Sequence, residues 1–239
     1  MKRYFLAIIH RIKLLKNLII PPKLKQKLAE SYWSKSDDIY TGKIAPDIFK
    51  LATENIDKFD RILEFGSNNG SNLEFFIKNM KDISVLGIDV NPIVKDLEHK
   101  YSNYTGEISN EKILDNYHKN EFSLSYTSSV LDHIANEEAV IKTLKKLAHI
   151  SEYVIINEPH LTGVVGDVSE KFRYQVKSGL ENSHKVFAKY SYFWDYDKYL
   201  KEMGLDFKKI PNPMHRFSMG PYYYLYFFKS KEYEKSQYK

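Results

Sequence analysis

The 239 residues contain no cysteine, which excludes disulfides, thiolate metal centres and a cysteine nucleophile and accords with a reducing, cytoplasmic location. Glycine and proline are sparse, at 10 and 8 residues, and no repeat or low-complexity tract occurs, so collagen-like and disordered classes are set aside. No apolar run approaches the roughly 20 residues that span a bilayer. The first, residues 4–9, is soon followed by Arg11, Lys13 and Lys16, and no small-residue cleavage site of a secretory leader comes after it.

Acid is missing from one region entirely. Residues 1–28 carry eight basic side chains (Lys2, Arg3, Arg11, Lys13, Lys16, Lys23, Lys25 and Lys27), and the first acid is Glu30. Of 36 basic residues, 28 remain for the rest of the chain against 31 acids, so the net +5 belongs to the arm and the body stands at −3. A nucleic-acid enzyme spreads basic charge over its binding face, so nucleic acid is not the expected partner. Leu6, Ile9, Ile12, Lys13, Lys16 and Ile20 fit a basic amphipathic helix ending at Pro21-Pro22. Such a helix packs on the domain, or residues 1–20 attach to an anionic membrane surface or a partner. The sequence leaves both open.

What is present is a globular composition, 43% apolar and 28% charged, able to bury a sizeable core. Short β-branched or aromatic runs alternate with helical patterns, which predicts parallel βαβ units. The expected strands are 61–65, 84–89, a weak one at 103–107, 122–127, 153–157, 207–210 and 222–229. The expected helices are 71–80, one opening near Pro92, 137–148 and 192–203, the last stopped by Gly204. A turn region holding Pro211, Pro213, Gly220 and Pro221 should join the last two strands. The fold predicted is a Rossmann-like α/β domain over residues 56–239, with a seven-stranded, mostly parallel sheet flanked by helices. Residues 1–55 are read as a basic helical extension or cap. Residues 158–190, too long for a simple loop, are read as an inserted lid.

The decisive stretch is Glu64-Phe65-Gly66-Ser67-Asn68-Asn69-Gly70, in which a strand ends in an acid and a Gly/Asn loop opens a helix. Nineteen residues past Gly70 a second strand ends at Asp89. Ligands of open α/β sheets sit beyond the carboxyl ends of strands, so Glu64 and Asp89 are expected to face one crevice. An acid inside the loop would repel a pyrophosphate, and Asn68 stands where a further glycine would ease close approach. The ammonium, sulfonium and ribose diol of S-adenosylmethionine suit such carboxylates better than NAD does.

These motifs resemble the class I S-adenosylmethionine-dependent methyltransferase family, together with Gly87-Ile88-Asp89-Val90-Asn91-Pro92, the run from Phe122 to Ile134, and Tyr153-Val154-Ile155-Ile156-Asn157-Glu158-Pro159. The likeness covers about residues 58–160 plus the closing strand pair. It implies that Gly66, Ser67, Asn68 and Gly70 wrap the methionine moiety, with Glu64 as the motif's acid. It also implies that Asp89 takes the ribose, that Val90 packs on adenine and that Glu107 accepts from the adenine amine. Thr127 and Ser128 would lie beneath the sulfonium, and His133 would be a cofactor-proximal, architectural residue. Asn68 departs from the family's middle glycine, although Asn tolerates left-handed angles. Ser123 and Ser125 replace commoner residues of the fourth strand.

Methyl transfer needs an aligned nucleophile and often a base, but no metal, and no metal-ligand spacing is present. Asp132, His133, Glu158, His160, His184 and His215 are the candidate bases. His160 and His184 are singled out, the first at the crevice edge and the second in the lid. Tyr32, Trp33 and Tyr40 are placed to close over the cofactor. The expected reaction is transfer to the oxygen of a metabolite, a sugar or a surface-polysaccharide precursor. An RNA or protein methyltransferase using the basic arm, and a non-catalytic cofactor-binding subunit, are the alternatives.

Overall fold

A computed structural model describes residues 22–35, 44–159, 194–216 and 222–230. Within them the elements run α1 (Pro22–Trp33), α2 (Ala45–Thr53), β1 (Arg61–Phe65), α3 (Ser71–Asn79), β2 (Ser84–Asp89), β3 (Tyr104–Ile108), β4 (Phe122–Ser128), α4 (Glu137–Ile150), β5 (Ser151–Pro159), α5 (Tyr196–Glu202), β6 (Phe207–Arg216) and β7 (Tyr222–Lys229). Short 3₁₀ turns follow β2, β3 and β4. The strands form one sheet in the order β3-β2-β1-β4-β5-β7-β6. All contacts among the first five are parallel, whereas β7 runs antiparallel to both β5 and β6. The order reverses between β1 and β4, so a crevice opens at their carboxyl ends.

Both faces of the sheet are covered, as a parallel sheet requires. One core joins Leu63, Phe65, Ile88, Val154, Ile156, Tyr226 and Phe228 to α4 and α5. The other joins Ile62, Leu124, Tyr126, Ile155, Leu225 and Phe227 to α2 and α3. Alternate strand residues therefore go to opposite cores. Ala45, Ile48, Leu51 and Ala52 of α2 are buried in the second core, and Phe49 meets Phe75 and Phe76 edge-on. Packing thus continues unbroken across residue 55, where the sequence suggested an extension giving way to a domain.

Two expectations are corrected. No α-helix opens at Pro92; a 3₁₀ turn, Pro92–Lys95, stands there instead. The carbonyl of Val94, which an α-helix would give to Glu98, accepts from the Tyr104 hydroxyl at 2.6 Å, and Glu98 turns its carboxylate to the Gly106 amide at 2.9 Å. A Cβ on Gly106 would stand 2.3 Å from that same Val94 oxygen, so the close approach needs glycine. Likewise, β6 runs on through Pro211 and Pro213 to Arg216, with an irregular register after Asn212, where a turn was expected. β6 is the sheet's edge, and an edge strand needs no donor on its outer side. The expected lid, His160 and His184 lie outside the described residues, as do residues 1–20.

Candidate functional site

The loop after β1 folds back onto β2. The Gly66 and Ser67 amides both donate to the Ile88 carbonyl, at 2.7 and 3.1 Å, and the Gly70 amide closes a turn on the Ser67 carbonyl at 2.8 Å. Asn68 carries this turn at φ 48°, a left-handed angle that Asn adopts more readily than most residues. Its amide donates to Asp89 Oδ2 at 2.7 Å, while the Asn91 amide donates to Oδ1 at 2.8 Å. The Val90 amide is a third backbone donor to the carboxylate, which has about four acceptor positions in all. Burial raises the Asp89 pKa against the opposing pull of these amides. Gly66 has φ +80°, and a Cβ there would meet Val130 side-chain carbons at 2.3–2.9 Å, so the first loop and the β4 loop touch with no room for a side chain.

Glu64 does not reach the crevice. It is the penultimate residue of β1, buried on the α2–α3 side, where its Oε1 accepts from Asn72 Nδ2 at 2.6 Å and its Oε2 from the Tyr126 hydroxyl at 3.2 Å. Burial is the largest effect on it and pushes its pKa up to about 8, with the Asp89 charge adding in the same direction. At neutral pH the carboxyl is therefore mainly protonated. Glu64 would not repel a pyrophosphate in this geometry, because it faces away from the ligand space and burial favours its neutral form. Its partner Asn72, in the first turn of α3, reaches the crevice instead. The Asn72 Oδ1 atom is buried without a hydrogen-bond partner, and the residue lines the crevice.

The crevice is a cavity of about 230 Å³. Gly66, Asn68 and Asn72 form one end, and Asp89 and Val90 lie at the centre. Ser109, Asn110 and Glu111, beyond β3, form the opposite end. The β4 loop supplies a wall of Ser128, Ser129, Val130, His133 and Ile134. That wall is held from behind by β5. The Ser129 amide, at φ 55°, donates to the Asn157 carbonyl at 3.0 Å, Asn157 Nδ2 donates to the Ser128 hydroxyl at 3.0 Å, and Glu158 Oε1 accepts the Val130 and Leu131 amides at 3.0 and 3.2 Å. Glu158 is fully buried and its pKa rises to about 8, first because of burial and then because of neighbouring Asp132. Two buried carboxyls this close resist ionising together.

α1 roofs the cavity with Gln26, Ala29, Glu30 and Trp33. The Trp33 ring lies 4.2 Å from that of His133, centroid to centroid, at an interplanar angle of 33°. Its carbonyl accepts from Asn91 Nδ2 at 3.0 Å, and Gln26 Oε1 accepts the Ala135 amide at 2.9 Å.

Of the residues picked from sequence, Gly66, Asn68, Asp89, Val90, Ser128 and His133 converge on the cavity. Ser67 and Thr127 are buried and, with Gly70, stand behind it. Glu107 also stands off the cavity lining, its carboxylate accepting from Tyr117 at 2.7 Å. Ser109, Asn110 and Glu111 occupy that end instead. Sequence reasoning missed Asn72, and its signal was available: at the second residue of α3 a polar residue stands where the core-facing stripe runs. The contribution of Gln26 and Glu30 carried no signal, because nothing local ties α1 to the crevice.

A seven-stranded sheet ordered 3-2-1-4-5-7-6, with strand 7 reversed and a cavity at the switch between strands 1 and 4, defines the class I, Rossmann-like methyltransferase fold. Solved structures similar to this chain include S-adenosylmethionine-dependent methyltransferases. One from Archaeoglobus fulgidus is 14% identical, with a TM-score of 0.55 over 79% of this chain and 94% of its own. The plantazolicin methyltransferase BamL, solved with a triazolic desmethylPZN analog and S-adenosylhomocysteine, is 12% identical, with a TM-score of 0.53 over 94% of this chain and 97% of its own. An O-methyltransferase family protein from Burkholderia thailandensis is 8% identical, with a TM-score of 0.54 over 79% of this chain. This chain spans only 57% of that protein's length. At such identities the likeness is one of fold. No family model matches the sequence, and no curated protein does.

Proposed function

We propose that the protein is an S-adenosylmethionine-dependent methyltransferase that acts on a small-molecule acceptor, transferring to oxygen on a metabolite, a sugar or a surface-polysaccharide precursor. The observation that carries this reading is the row of hydrogen-bond acceptors facing the cavity. Asp89 lines the cavity with acceptor capacity beyond its three backbone donors, and Asn72 Oδ1 is left without a donor. A ligand with a hydroxyl pair at its middle and an ammonium at its end satisfies both. S-adenosylmethionine has that layout, and when bound it supplies a methyl group on a sulfonium. Asp89 would accept from the ribose hydroxyls, and Asn72 with the Gly66–Asn68 turn would hold the amino-acid end. The Ser109–Glu111 segment would face the adenine amine, in place of Glu107. His133, packed against Trp33, would help enclose the ligand.

Transfer to a hydroxyl requires that a proton leave the acceptor. His160, directly after the end of β5, and His184 are the residues we assign to that step. The net −3 of residues 29–239 supports a small acceptor over a nucleic acid, which demands a basic binding face.

The test is calorimetric titration with S-adenosylmethionine and S-adenosylhomocysteine, with NADH as control, on the wild type and on Asp89→Ala. The expected result is binding of both sulfur nucleosides, weakened on the order of tenfold to a hundredfold by the substitution, which removes charge-assisted hydrogen bonds. An acceptor screen beginning with sugars and nucleotide-linked metabolites follows. Folded protein that ignores both nucleosides refutes the reading.

A further inference from the structure

α1 is amphipathic the wrong way round for a helix lying on a globular domain. Its inner face, Gln26, Ala29, Glu30 and Trp33 at i, i+3, i+4 and i+7, lines the cavity and is held by polar contacts with Ala135 and Asn91. Its outer face shows Leu24, 47% exposed, and Leu28, 40% exposed, one turn apart, with exposed Lys27 and Ser31 beside them. Helices on soluble domains turn such leucines inward. Only two other large apolar side chains among the described residues are as exposed, Ile108 and Ile210, and they lie apart on β3 and β6.

We propose that the outer face of α1 docks on an anionic lipid surface. Charge complementarity selects this occupant. The chain leading into α1 and through its first two turns carries eight basic residues and no acid over positions 1–28, while the remainder is net negative. An anionic surface attracts that end and repels the rest, which fixes the orientation. Apolar side chains and a basic cluster together make the two-signal anchor that holds a protein on a bilayer reversibly. The contact is with the surface, since among the described residues no helix is long and apolar enough to cross a membrane. Because the inner face of the same helix roofs the cavity, docking would set that roof against the lipid headgroups. The proposal does not depend on which ligand fills the cavity.

The full-length protein is co-sedimented with phosphatidylcholine vesicles, either pure or containing roughly a third phosphatidylglycerol, at low and at about 1 M salt. Pelleting is expected only with the anionic vesicles and only at low salt. Leu24→Glu/Leu28→Glu, and separately Lys27→Glu, should lower the bound fraction at least about tenfold for the double variant and less for the single one. The melting temperature should be unchanged, and Ile210→Ser should bind as the wild type does. Failure of the wild type to pellet with anionic vesicles overturns the proposal, as does pelleting that neither variant weakens. A lower melting temperature in the double variant would assign the face to packing within the chain. A dimer in light scattering that the double variant dissolves would assign it to a second copy. Either result overturns lipid docking.

Discussion

Replacing Glu64 with Gln should make the protein more stable at neutral pH, although Glu64 is the acid of the first motif. The carboxyl is buried between Asn72 and Tyr126, and its pKa rises from an ordinary 4.5 to about 8 in the fold. Below pH 4.5 both folded and unfolded chains hold the proton, and the group contributes its full stability. As pH rises from 4.5 towards 8 the unfolded chain releases the proton and the native one keeps it, so stability falls throughout that window. Each pH unit is worth about 1.4 kcal/mol, so by pH 7 the loss reaches about 3 kcal/mol. Gln keeps an oxygen for Asn72 and a polar group for Tyr126 and never ionises. Urea unfolding from pH 5.5 to 8.5 should therefore show Glu64→Gln gaining on the wild type as pH rises, by about 3 kcal/mol at pH 7. The matching slope from Glu158 is present in both proteins and cancels in the difference. S-adenosylmethionine binding should persist, since Glu64 acts only through Asn72. Parallel pH curves, or a variant less stable than the wild type at pH 7, would refute the assignment of Glu64 as a neutral buried acid.

Other perturbations test the walls of the cavity. Gly66→Ala places a Cβ within 2.3–2.9 Å of Val130 at a positive φ and should cost about 1–3 kcal/mol by overpacking; Val130→Ala in the same chain should recover part of the loss in thermal melts. Glu158→Ala strips the acceptor from the Val130 and Leu131 amides and should destabilise by roughly 1–3 kcal/mol per unsatisfied group, whereas Glu158→Gln, which keeps an acceptor, should lose far less. Trp33→Ala removes the ring packed against His133 and should weaken cofactor titrations on the order of tenfold, about 1.4 kcal/mol, with a small change in melting temperature. Full affinity in that variant would show that α1 contributes nothing to the bound state.

The sheet was legible because its signals are local. The β-branched and aromatic runs at 61–65, 84–89 and 122–127 mark strands wherever they sit, and the helices between them force parallel pairing. What escaped were features set by distant partners. Tyr104 captures the Val94 carbonyl from ten residues away and turns an expected helix into a 3₁₀ turn. The edge position of β6 lets a strand run through two prolines, and a strand's place in the sheet cannot be read from its own residues. α1 was legible only in part: Trp33 was expected over the crevice and lines it, but the anchors of the helix on Asn91 and Ala135 lie 58 and 109 residues away in sequence.

The two motif acids show where sequence logic needs one more step. Both end a strand and both sit beside a Gly-containing loop, so acidity and position alone treat Glu64 and Asp89 as equals. Both side chains lie on the same face, since Glu64 pairs with Gly87 in the β1–β2 register and side chains alternate along a strand; distance from the strand end separates them. Glu64, one residue short of the end of β1, is turned into the core shared by Phe76 and Tyr126, whose rings stack 5.7 Å apart. Asp89 is the last residue of β2 and clears the sheet, where the Asn68 and Asn91 amides can reach it from the two loops. One acid becomes a buried strut that holds Asn72, and the other, held by backbone amides, stands in the lining of the cavity. The count from the strand end, with the hydrophobic residues on either side of it, was in the sequence from the start. For this chain it predicts that Asp89→Asn impairs binding while Glu64→Gln does not, a contrast that a single pair of titrations decides.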